Sequence, residues 1–489
     1  MDQNARLAPL ARRPWLGLAL SAAGVLLFQG LPGPRPFDDA FITFRYARNL
    51  SAGLGLVYNP GQAVLGTTSP LYAALLGGLA VLLGADRLPA ISFAAALLAD
   101  TLGVWLFYRL ARAVLADGRA AGLLALVYLI HPFRLEIAAG GLETSLFTAG
   151  LLLLYERYRS GGHAAGLGAL SAALFLLRPD AVLALLPMFA HWLWRDRRAA
   201  LTAGAVAGLL AGAWLILATL IYGSPVPHSL TAKAAVPNPA GAAAFFLLNF
   251  FATGTVGPYT NGIGWVLGGA LVSLGLQVRG LRRMAQMAAP VLPLAVYPLL
   301  YAGVMAAVNP PLYYAWYFGP LLPGLLLLLA AGLDGPGPAR LGRLGLLCAG
   351  VVALPLALLA VSPNWPLSRA REPAFQAACE QIRPALAPGA TVLAPDIGVL
   401  GWCLDQALIL DAAGLVSPEA LPYLQPGQAV APELVADFQP TYVVALEQFL
   451  KPALLADPGF QADYELIWQQ PVTIAGVARP LYIFRRRSP

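Results

Sequence analysis

Apolar runs of roughly membrane-spanning length recur along most of the chain and restrict what it can fold into. They lie at 14–30, 69–84, 90–110, 120–136, 143–156, 164–177, 181–194, 200–222, 262–277, 287–306, 312–332 and 341–361. A crossing helix needs about 20 apolar residues, and fewer where neighbouring helices shield it. Only 11% of the residues are charged, against about 25% in soluble domains. The chain is therefore predicted to be a polytopic helical membrane protein.

Arginine clusters between these runs indicate the orientation of the chain in the membrane. Basic loops face the cytoplasm. The N-terminus is therefore predicted to be cytoplasmic, as are the clusters at 109–119, 157–159, 195–198, 279–283 and 340–343. Successive loops alternate correctly between the two sides of the membrane only if the run at 69–84 lies along the membrane or re-enters it from the outer side. About eleven crossings result, with the N-terminus cytoplasmic and the tail extracytoplasmic. If 69–84 does cross, the tail changes side or the first of these clusters breaks the rule.

The composition changes from about Glu372, where charged residues become more frequent. Short β-like runs follow at 391–394, 407–410, 442–445 and 481–484, with helical stretches between some of them. This pattern predicts a small α/β domain of roughly 120 residues. The predicted domains are therefore 1–362, which spans the membrane, and 363–489, which is extracytoplasmic. Cys379 and Cys403 would be able to pair in such a domain, although sequence alone does not show the pairing.

Two adjacent carboxylates, Asp38 and Asp39, follow the first apolar run. The segment 37–50 mixes apolar and polar residues at helical spacing, which predicts an amphipathic helix at the interface. One carboxylate is enough to cap such a helix. A pair suits general base catalysis, or the binding of a cation or of sugar hydroxyls. Ionisable groups near hydrocarbon tend to be functional, so the structural and the catalytic interpretations both stand at this point.

Further polar residues fall on the predicted outer side. They are Thr67, Thr68, Glu143, Arg178, Asp180, His228, Lys233 and Tyr314. The two threonines contact a substrate or cap a helix, and the glutamate caps a helix or takes part in catalysis. The arginine and the aspartate two residues later pair with each other or serve a site. The lysine either snorkels at the interface or binds a lipid phosphate.

The run DDAFITFRYARNL, followed by GLGLVYNPG and VLGTTSPLY, resembles the first outer loop of the bacterial C-type (GT-C) membrane glycosyltransferases. The resemblance extends in particular to the branch of the mycobacterial terminal arabinofuranosyltransferases. Weaker blocks follow in collinear order at 141–147, 177–180, 222–227, 313–317, 396–401 and 411–415. The chain departs from that pattern at Leu65, where many relatives carry an acidic residue, and before Asp396, where the usual glycine is missing. Both departures bear on the sugar and the acceptor.

The resemblance, taken together with the charge-based topology and the composition of the tail, predicts a mainly α, GT-C-like membrane domain of about 11 transmembrane helices, with juxtamembrane helices in the first outer loop and a small C-terminal extracytoplasmic α/β domain. It implies a polyprenyl-phosphate-linked sugar donor, a glycan, lipid or protein acceptor, and contact with membrane lipids in a bacterial plasma membrane. An aspartate of the first outer loop would activate the acceptor hydroxyl. Asp38 is the favoured base, with Asp39 orienting substrate or capping. Lys233, Arg45 or Arg178 would hold the donor phosphate as it leaves.

Several other function classes fit the sequence less well. The net charge of +7 lies in loops between apolar runs, so nucleic acid is not an expected partner. Histidine spacing argues against a zinc site, and no glycine-rich nucleotide loop is present. The main alternative is a transporter of a lipid-linked or small polar substrate, whose charges would lie near the bilayer midplane. No cofactor is predicted, apart from a divalent cation, Mg²⁺ or Mn²⁺, which the acidic pair leaves open.

Overall fold

A computed structural model of the chain describes residues 14–115, 117–235, 241–253, 263–287, 289–308, 315–333, 345, 371–425, 430–474 and 477–487. The described part is mainly helical and ends in a small domain that contains a sheet, which confirms the predicted fold class. Tyr314, the predicted domain boundary at 362 and 363, and the predicted span at 341–361 (apart from residue 345) lie outside the described residues.

The regular elements of the described residues as far as residue 333 are helices. They are α1 Pro14–Val25, α2 Asp38–Ser51, α3 Pro70–Leu83, α4 Leu88–Val114, α5 Gly118–Leu129, α6 Pro132–Ala139, α7 Thr144–Arg159, α8 Ala164–Leu177, α9 Ala181–Arg195, α10 Arg197–Tyr222, α11 His228–Ala235, α12 Ala242–Thr253, α13 Ile263–Gln286, α14 Leu292–Val308, α15 Ala315–Phe318 and α16 Leu322–Leu333. A π-helical turn, Leu26–Gly30, extends α1, and short 3₁₀ turns lie at Ala85–Arg87 and Gly319–Leu321.

The tail combines short helices with strands. Its helices are α17 Arg371–Ile382, α18 Gly398–Cys403, α19 Pro432–Phe438, α20 Glu447–Leu450, α21 Ala453–Ala456 and α22 Pro458–Asp463. Its strands are β1 Thr391–Ala394, β2 Leu408–Asp411, β3 Tyr442–Leu446, β4 Tyr464–Gln470, β5 Thr473–Ile474, β6 Val477–Ala478 and β7 Leu481–Arg486. Turns of 3₁₀ type lie at Arg383–Ala385 and Pro418–Tyr423.

Three stretches of the described chain are long and apolar enough to cross a membrane: Ala85–Val114, Arg197–Tyr222 and Trp316–Leu333. α5 and α6 together are also long and apolar enough, but their axes differ by 49°. They add a fourth crossing if they form one bent span. The run predicted at 120–136 is therefore broken, and Pro132 begins the second piece because a proline has no N–H to continue the first. The eleven-crossing count stays a prediction.

α10 has the exposure expected of a helix that faces lipid. It is 26 residues long, which corresponds to about 39 Å, and only 6% of its most apolar stretch is buried. α3 is shorter, at 14 residues, or about 21 Å. A fully crossing helix needs about 30 Å of hydrocarbon core to be covered. The length of α3 is therefore compatible with the predicted re-entrant or in-plane segment, although other predicted spans, such as α8, are equally short.

The chain divides into two compact units that interleave along the sequence. Unit 1 contains Met1–Arg35, Ser92–Gly212 and Asn238–Pro363. Unit 2 contains Pro36–Ile91, Ala213–Pro237 and Asn364–Pro489. The tail domain is thus grouped with the acidic segment and α3 in a single compact unit.

The tail sheet has five strands in the order β2-β1-β3-β7-β4. β1 runs parallel to β2 and β3, whereas β7 pairs antiparallel with β3 and β4. Four of these strands coincide with predicted runs. β4 was not predicted because it lies at an edge of the sheet, does not alternate regularly and has a register shift between Leu466 and Trp468. β3 is buried along its whole length, which is typical of a strand covered on both faces.

Cys379 of α17 and Cys403 at the end of α18 form a disulfide bond in unit 2. Their Cα atoms lie 6.2 Å apart and they are separated by 24 residues of sequence. Disulfides persist outside the cytosol, so this pairing is consistent with an extracytoplasmic tail.

Replacing both Cys379 and Cys403 with alanine is expected to lower the free energy of unfolding of unit 2 by about 2–4 kcal/mol, because the cross-link restricts the unfolded chain. Thermal unfolding of the detergent-purified protein, with and without dithiothreitol, measures the effect. The reductant should lower the transition of the wild type and leave that of the double variant unchanged. The prediction would be contradicted if the wild-type unfolding temperature were the same with and without reductant and equal to that of the double variant.

Candidate functional site

α2 carries the acidic pair in its first turn. Phe37, in extended conformation, precedes the helix, and both carboxylates lie where the helix dipole favours negative charge. The predicted helix is thus confirmed, but its polar side is not exposed. Arg45 and Asn49 are buried together with the apolar residues of the helix, and α2 packs on α3 and α18 within unit 2.

The carboxylate of Asp38 is buried and engaged by the tail domain. Its Oδ1 accepts a hydrogen bond from the N–H of Val399 at 2.8 Å, and its Oδ2 accepts one from the N–H of Gly398 at 3.0 Å. These are the first amides of α18, which no preceding turn of that helix can satisfy. Only 2% of the residue is exposed. In this structure Asp38 therefore caps a helix of the tail domain.

Three residues of the tail complete a charged cluster around the start of α2. Nη1 of Arg371 lies 3.2 Å from an oxygen of Asp396. Oε1 of Glu372 accepts a hydrogen bond from the N–H of Asp38 at 3.3 Å. Burial would lower the pKa of Arg371, but the carboxylates, Asp396 and Asp38 foremost, hold it above its usual value. Burial in turn raises the pKa of Asp38, and the guanidinium of Arg371 opposes that effect.

Asp39 is half-buried and differs from its neighbour in its contacts. Among the described residues its carboxylate makes no hydrogen bond or ion pair, although its charge contributes to the pKa values of Asp38, Asp396 and Arg371. Adjacent residues of a helix point about 100° apart. Asp39 is therefore near the cluster but is not held by the amides that engage Asp38.

Arg45 is completely buried, and its donors are directed to protein acceptors. Nε donates to the carbonyl of Tyr58 at 2.8 Å, and Nη1 donates to the carbonyl of Gly401 at 2.6 Å. Nη2 donates to Oδ1 of Asn59 at 3.3 Å and to the carbonyl of Ala407 at 3.0 Å. These contacts join α2 to the loop that follows it and to the tail. The structure thus gives Arg45 partners other than the donor phosphate expected from the sequence.

The remaining candidates of unit 2 lie on two segments. Oγ1 of buried Thr67 accepts the N–H of Ser69 at 3.1 Å, a local contact before α3 that does not cap the helix, and Thr68 is half-buried. His228 begins α11, its N–H donates to the carbonyl of Leu65 at 2.7 Å, and burial lowers the pKa of its imidazole. Lys233, also on α11, is exposed.

Glu143, Arg178 and Asp180 meet in unit 1. The guanidinium of Arg178 donates to both oxygens of Asp180, at 3.0 and 2.9 Å, and to Oε1 of Glu143 at 3.1 Å. It also donates to the carbonyl of Trp316 at 3.2 Å. The pairing of Arg178 with Asp180, one of the two alternatives read from the sequence, is confirmed. A guanidinium already shared by two carboxylates is a weak candidate for a phosphate.

A resident metal has no obvious place in the described part of the chain. There, no group of three or more histidine, cysteine, aspartate or glutamate side chains is arranged to hold an ion. The acidic residues at the start of α2 are balanced by Arg371 rather than set around a common point.

Burial raises the pKa of Asp396 from 3.8 to about 7, with Arg371 acting against the shift. The folded state therefore binds this proton more tightly than the unfolded chain. The resulting stabilisation is present below the ordinary pKa and is lost as the pH rises through about 7. We expect the unfolding temperature of unit 2 to fall between about pH 4 and pH 7. Asp396→Asn should lessen this dependence, and the part that remains includes Asp411, whose pKa burial also raises from 3.8 to about 7. An equal slope in both proteins would contradict this assignment.

Comparison with known proteins agrees with this architecture. A family model described as "Domain of unknown function (DUF8728)" matches residues 368–484. The crystal structure of ArnT from Cupriavidus metallidurans bound to undecaprenyl phosphate superposes with a TM-score of 0.59 at 13% identity, over 96% of this chain and 98% of that one. Its apo state gives 0.58 at 14% identity, over 97% and 98% of the two chains. The chain has a GT-C membrane glycosyltransferase fold.

A sequence relative of this chain is the terminal β-(1→2)-arabinofuranosyltransferase of Mycobacterium tuberculosis strain H37Rv. The two are 30% identical over 368 residues, which is 70% of this chain and 56% of the relative. The chain thus spans little more than half the length of that relative. The GT-C fold makes it a multi-pass membrane protein, as predicted.

Sequence reasoning missed Arg371 and Glu372 as members of the cluster at the start of α2. The only signal was the rise in charged residues at the start of the tail domain. The role of Asn59 was missed as well: its side-chain amide pairs with the N–H and carbonyl of Ile409 on β2, at 3.2 and 2.9 Å. Both contacts join residues more than 300 positions apart, and no local pattern reports them.

Proposed function

We propose that this GT-C protein transfers a sugar from a polyprenyl-phosphate-linked donor to an acceptor hydroxyl on the outer side of the membrane, with Asp39 as the general base. The acceptor is a glycan, lipid or protein of the cell envelope. The observation that carries the choice of base is the contrast within the acidic pair. Asp38 is buried and accepts two backbone N–H groups, whereas Asp39 is half-buried with no such partner in the described chain.

This assignment reverses the order favoured from the sequence. A general base needs a lone pair directed at the acceptor proton at hydrogen-bond distance. The oxygens of Asp38 already face the amides of α18 inside the unit, so an acceptor would have to displace them. The carboxylate of Asp39 accepts no hydrogen bond from the described residues, so its use as the base would not displace the amides of α18.

In the proposed reaction Asp39 takes the proton of the acceptor hydroxyl while that oxygen forms a bond to the anomeric carbon of the sugar. The bond between this carbon and the phosphate oxygen breaks, and polyprenyl phosphate leaves with the electron pair. The negative charge that develops on the phosphate calls for a fixed cation. We assign this role to Lys233, which is exposed on α11 in the same compact unit as Asp39.

Two similarities support a lipid-linked donor. The ArnT structure of the same fold was determined with undecaprenyl phosphate bound, and the mycobacterial relative is named as an arabinofuranosyltransferase. A pentose is therefore the first donor to try, and a hexose the second. A requirement for a divalent cation is tested by adding Mg²⁺ or Mn²⁺ to the assay.

Incubation of the purified protein with radiolabelled pentosyl- and hexosyl-phosphopolyprenols tests the function. Unlabelled cell-envelope extract serves as acceptor, with EDTA, Mg²⁺ or Mn²⁺ added in parallel. We expect label to move to the acceptor and polyprenyl phosphate to be released. Transfer only from nucleotide sugars, or from none of these donors, would overturn the proposal.

The outer-side placement has its own test. A periplasmic-active reporter fused after Pro363 should be active, and a cytoplasm-active reporter at the same position should be silent. The opposite pattern would place the tail, and with it the charged cluster around α2, on the cytoplasmic side.

A further inference from the structure

One short helix of the tail domain is held at both ends by side chains of α2. This helix, α18, has six residues and follows β1 in the domain whose family is described as of unknown function. At its N-terminal end, the amides of Gly398 and Val399 donate to the carboxylate of Asp38. A negative charge at this end also complements the helix dipole.

The C-terminal end of α18 receives two guanidinium groups from the same helix α2. Arg45 donates to the carbonyl of Gly401 at 2.6 Å, and Arg48 donates to the carbonyl of Trp402 at 2.9 Å. The Arg48 guanidinium also lies over the indole ring of Trp402, 4.6 Å from its centre. The last four carbonyls of a helix have no hydrogen-bond partner within it, and these two carbonyls are among them.

The spacing of the three side chains matches the length of the helix that they hold. Asp38 and Arg45 are seven residues apart on α2, so they share a face within about 20° and are separated by about 10.5 Å along its axis. A six-residue helix is about 9 Å long. Arg48 follows Arg45 by three residues and lies about 80° round the helix from Asp38. α2 thus supplies an anion to the positive end of α18 and two cations to the negative end. We call Asp38, Arg45 and Arg48 the α2 clamp.

We propose that the residues of the α2 clamp are positioning residues, through which the tail domain fixes the first turn of α2 and so the carboxylate of Asp39. The inference rests on the proposed function, in which Asp39 is the base. It gives the tail domain a role in the reaction as the support of the base, rather than as a separate binding module.

Two further contacts strengthen this support. Glu372 of α17 accepts the N–H of Asp38, which fixes the backbone of the same first turn. The disulfide between Cys379 and Cys403 joins α17 to the end of α18. The first turn of α2 is therefore held by two tail helices that are themselves cross-linked. A displacement of a reacting group by about 1 Å costs roughly 10²-fold in rate, so such support has a measurable consequence.

Arg48→Ala is the variant of choice for the test. Arg48 is partly exposed, whereas loss of the fully buried Arg45 would remove its hydrogen bonds to four buried acceptors and endanger folding. Steady-state transfer from labelled pentosyl-phosphopolyprenol should show kcat lowered by roughly 10²-fold, with KM for the donor within about twofold. Arg48→Lys, which keeps a donor for Trp402, should recover most of the lost kcat.

Arg383→Ala is the matched control. Arg383 donates to the carbonyl of Cys403 at 3.1 Å, at the same end of α18, but it belongs to the tail domain itself and not to α2. Its loss should leave kcat unchanged. A raised KM with unchanged kcat in Arg48→Ala would overturn the positioning role, as would equal losses in Arg48→Ala and Arg383→Ala.

Asp38→Asn supplies an independent measurement. Hydrogen exchange at the amides of Gly398 and Val399 should accelerate, while β3 keeps its protection, because an asparagine has one acceptor oxygen for two donors. Full activity in Asp38→Asn and Arg48→Ala, with Asp39→Asn inactive, would contradict the positioning role of the α2 clamp and would still support the proposed function. Full activity in Asp39→Asn would remove the proposed base itself.

Discussion

Replacing Asp39 with asparagine is expected to slow sugar transfer by roughly 10²–10⁴-fold, the usual contribution of a general base. The amide keeps the size of the side chain but has no lone pair of comparable basicity for the acceptor proton. Because this interaction is made in the transition state, kcat and kcat/KM should fall together while KM for the donor changes little. The measurement is steady-state transfer from a labelled polyprenyl-phosphate sugar, with variants matched for thermal unfolding.

Asp86→Asn is the control for Asp39→Asn. Asp86 is an exposed carboxylate of the same compact unit, on the turn Ala85–Arg87. Its replacement changes the net charge equally and should leave transfer unchanged. If Asp39→Asn kept wild-type rates and Asp38→Asn lost them by more than roughly 10²-fold, the two aspartates would exchange roles. Wild-type rates in both variants would leave the reaction without an aspartate base.

The acidic segment shows how far a local pattern carries. The helix itself was predictable, because apolar residues recur at helical spacing after two carboxylates suited to a first turn. The position of its polar residues was not. Arg45 and Arg48 are typical of a solvated helix face, yet both donate to carbonyls of α18, about 350 residues later in the chain. Such contacts depend on the tertiary fold, which hydrophobic periodicity does not encode.

The tail domain shows the same division. Strands β1, β2, β3 and β7 were predictable because each is a short run rich in apolar residues, buried in the sheet. β4 is an edge strand with exposed Leu466 and Ile467, so burial imposes no clear alternation on its sequence. The cysteine pair was recognisable as a possibility, but only the fold shows that α17 and α18 bring the two residues within bonding reach.

The position of the acidic pair after the first apolar run and the resemblance to GT-C enzymes both indicate a functional pair, and packing separates its two members. A motif of this kind combines residues selected for chemistry with residues selected for assembly. Asp38, Arg45 and Asn59 all direct their polar atoms to the backbone of the tail domain. These contacts give each of the three residues a structural role. Asp39 makes no such contact in the described chain, so packing does not explain its presence in the motif.

Gly398→Ala is expected to destabilise unit 2 by about 3–5 kcal/mol and to abolish transfer. A Cβ atom built on Gly398 would overlap the backbone carbonyl and the carboxyl carbon of Asp38. A backbone atom cannot move aside without displacing the first turn of α2, so overpacking of about 1–3 kcal/mol adds to the loss of the hydrogen bonds between Asp38 and α18. Gly401→Ala should destabilise as well, because the overlapping atom there is the hydroxyl oxygen of Tyr58. That ring is fully buried, and its hydroxyl donates to the carbonyl of Ile397 at 2.6 Å.

Gly78→Ala is the matched control for Gly398→Ala. Gly78 lies inside α3 of the same unit, and a Cβ built there meets no atom within 4 Å. The substitution should raise stability by roughly 0.5–1 kcal/mol, because alanine favours a helix more than glycine does. Thermal unfolding and transfer activity of the three variants in one detergent decide the point. If Gly398→Ala unfolded at the wild-type temperature with full activity, the close approach of α18 to the first turn of α2 would be wrong, and with it the physical basis of the α2 clamp.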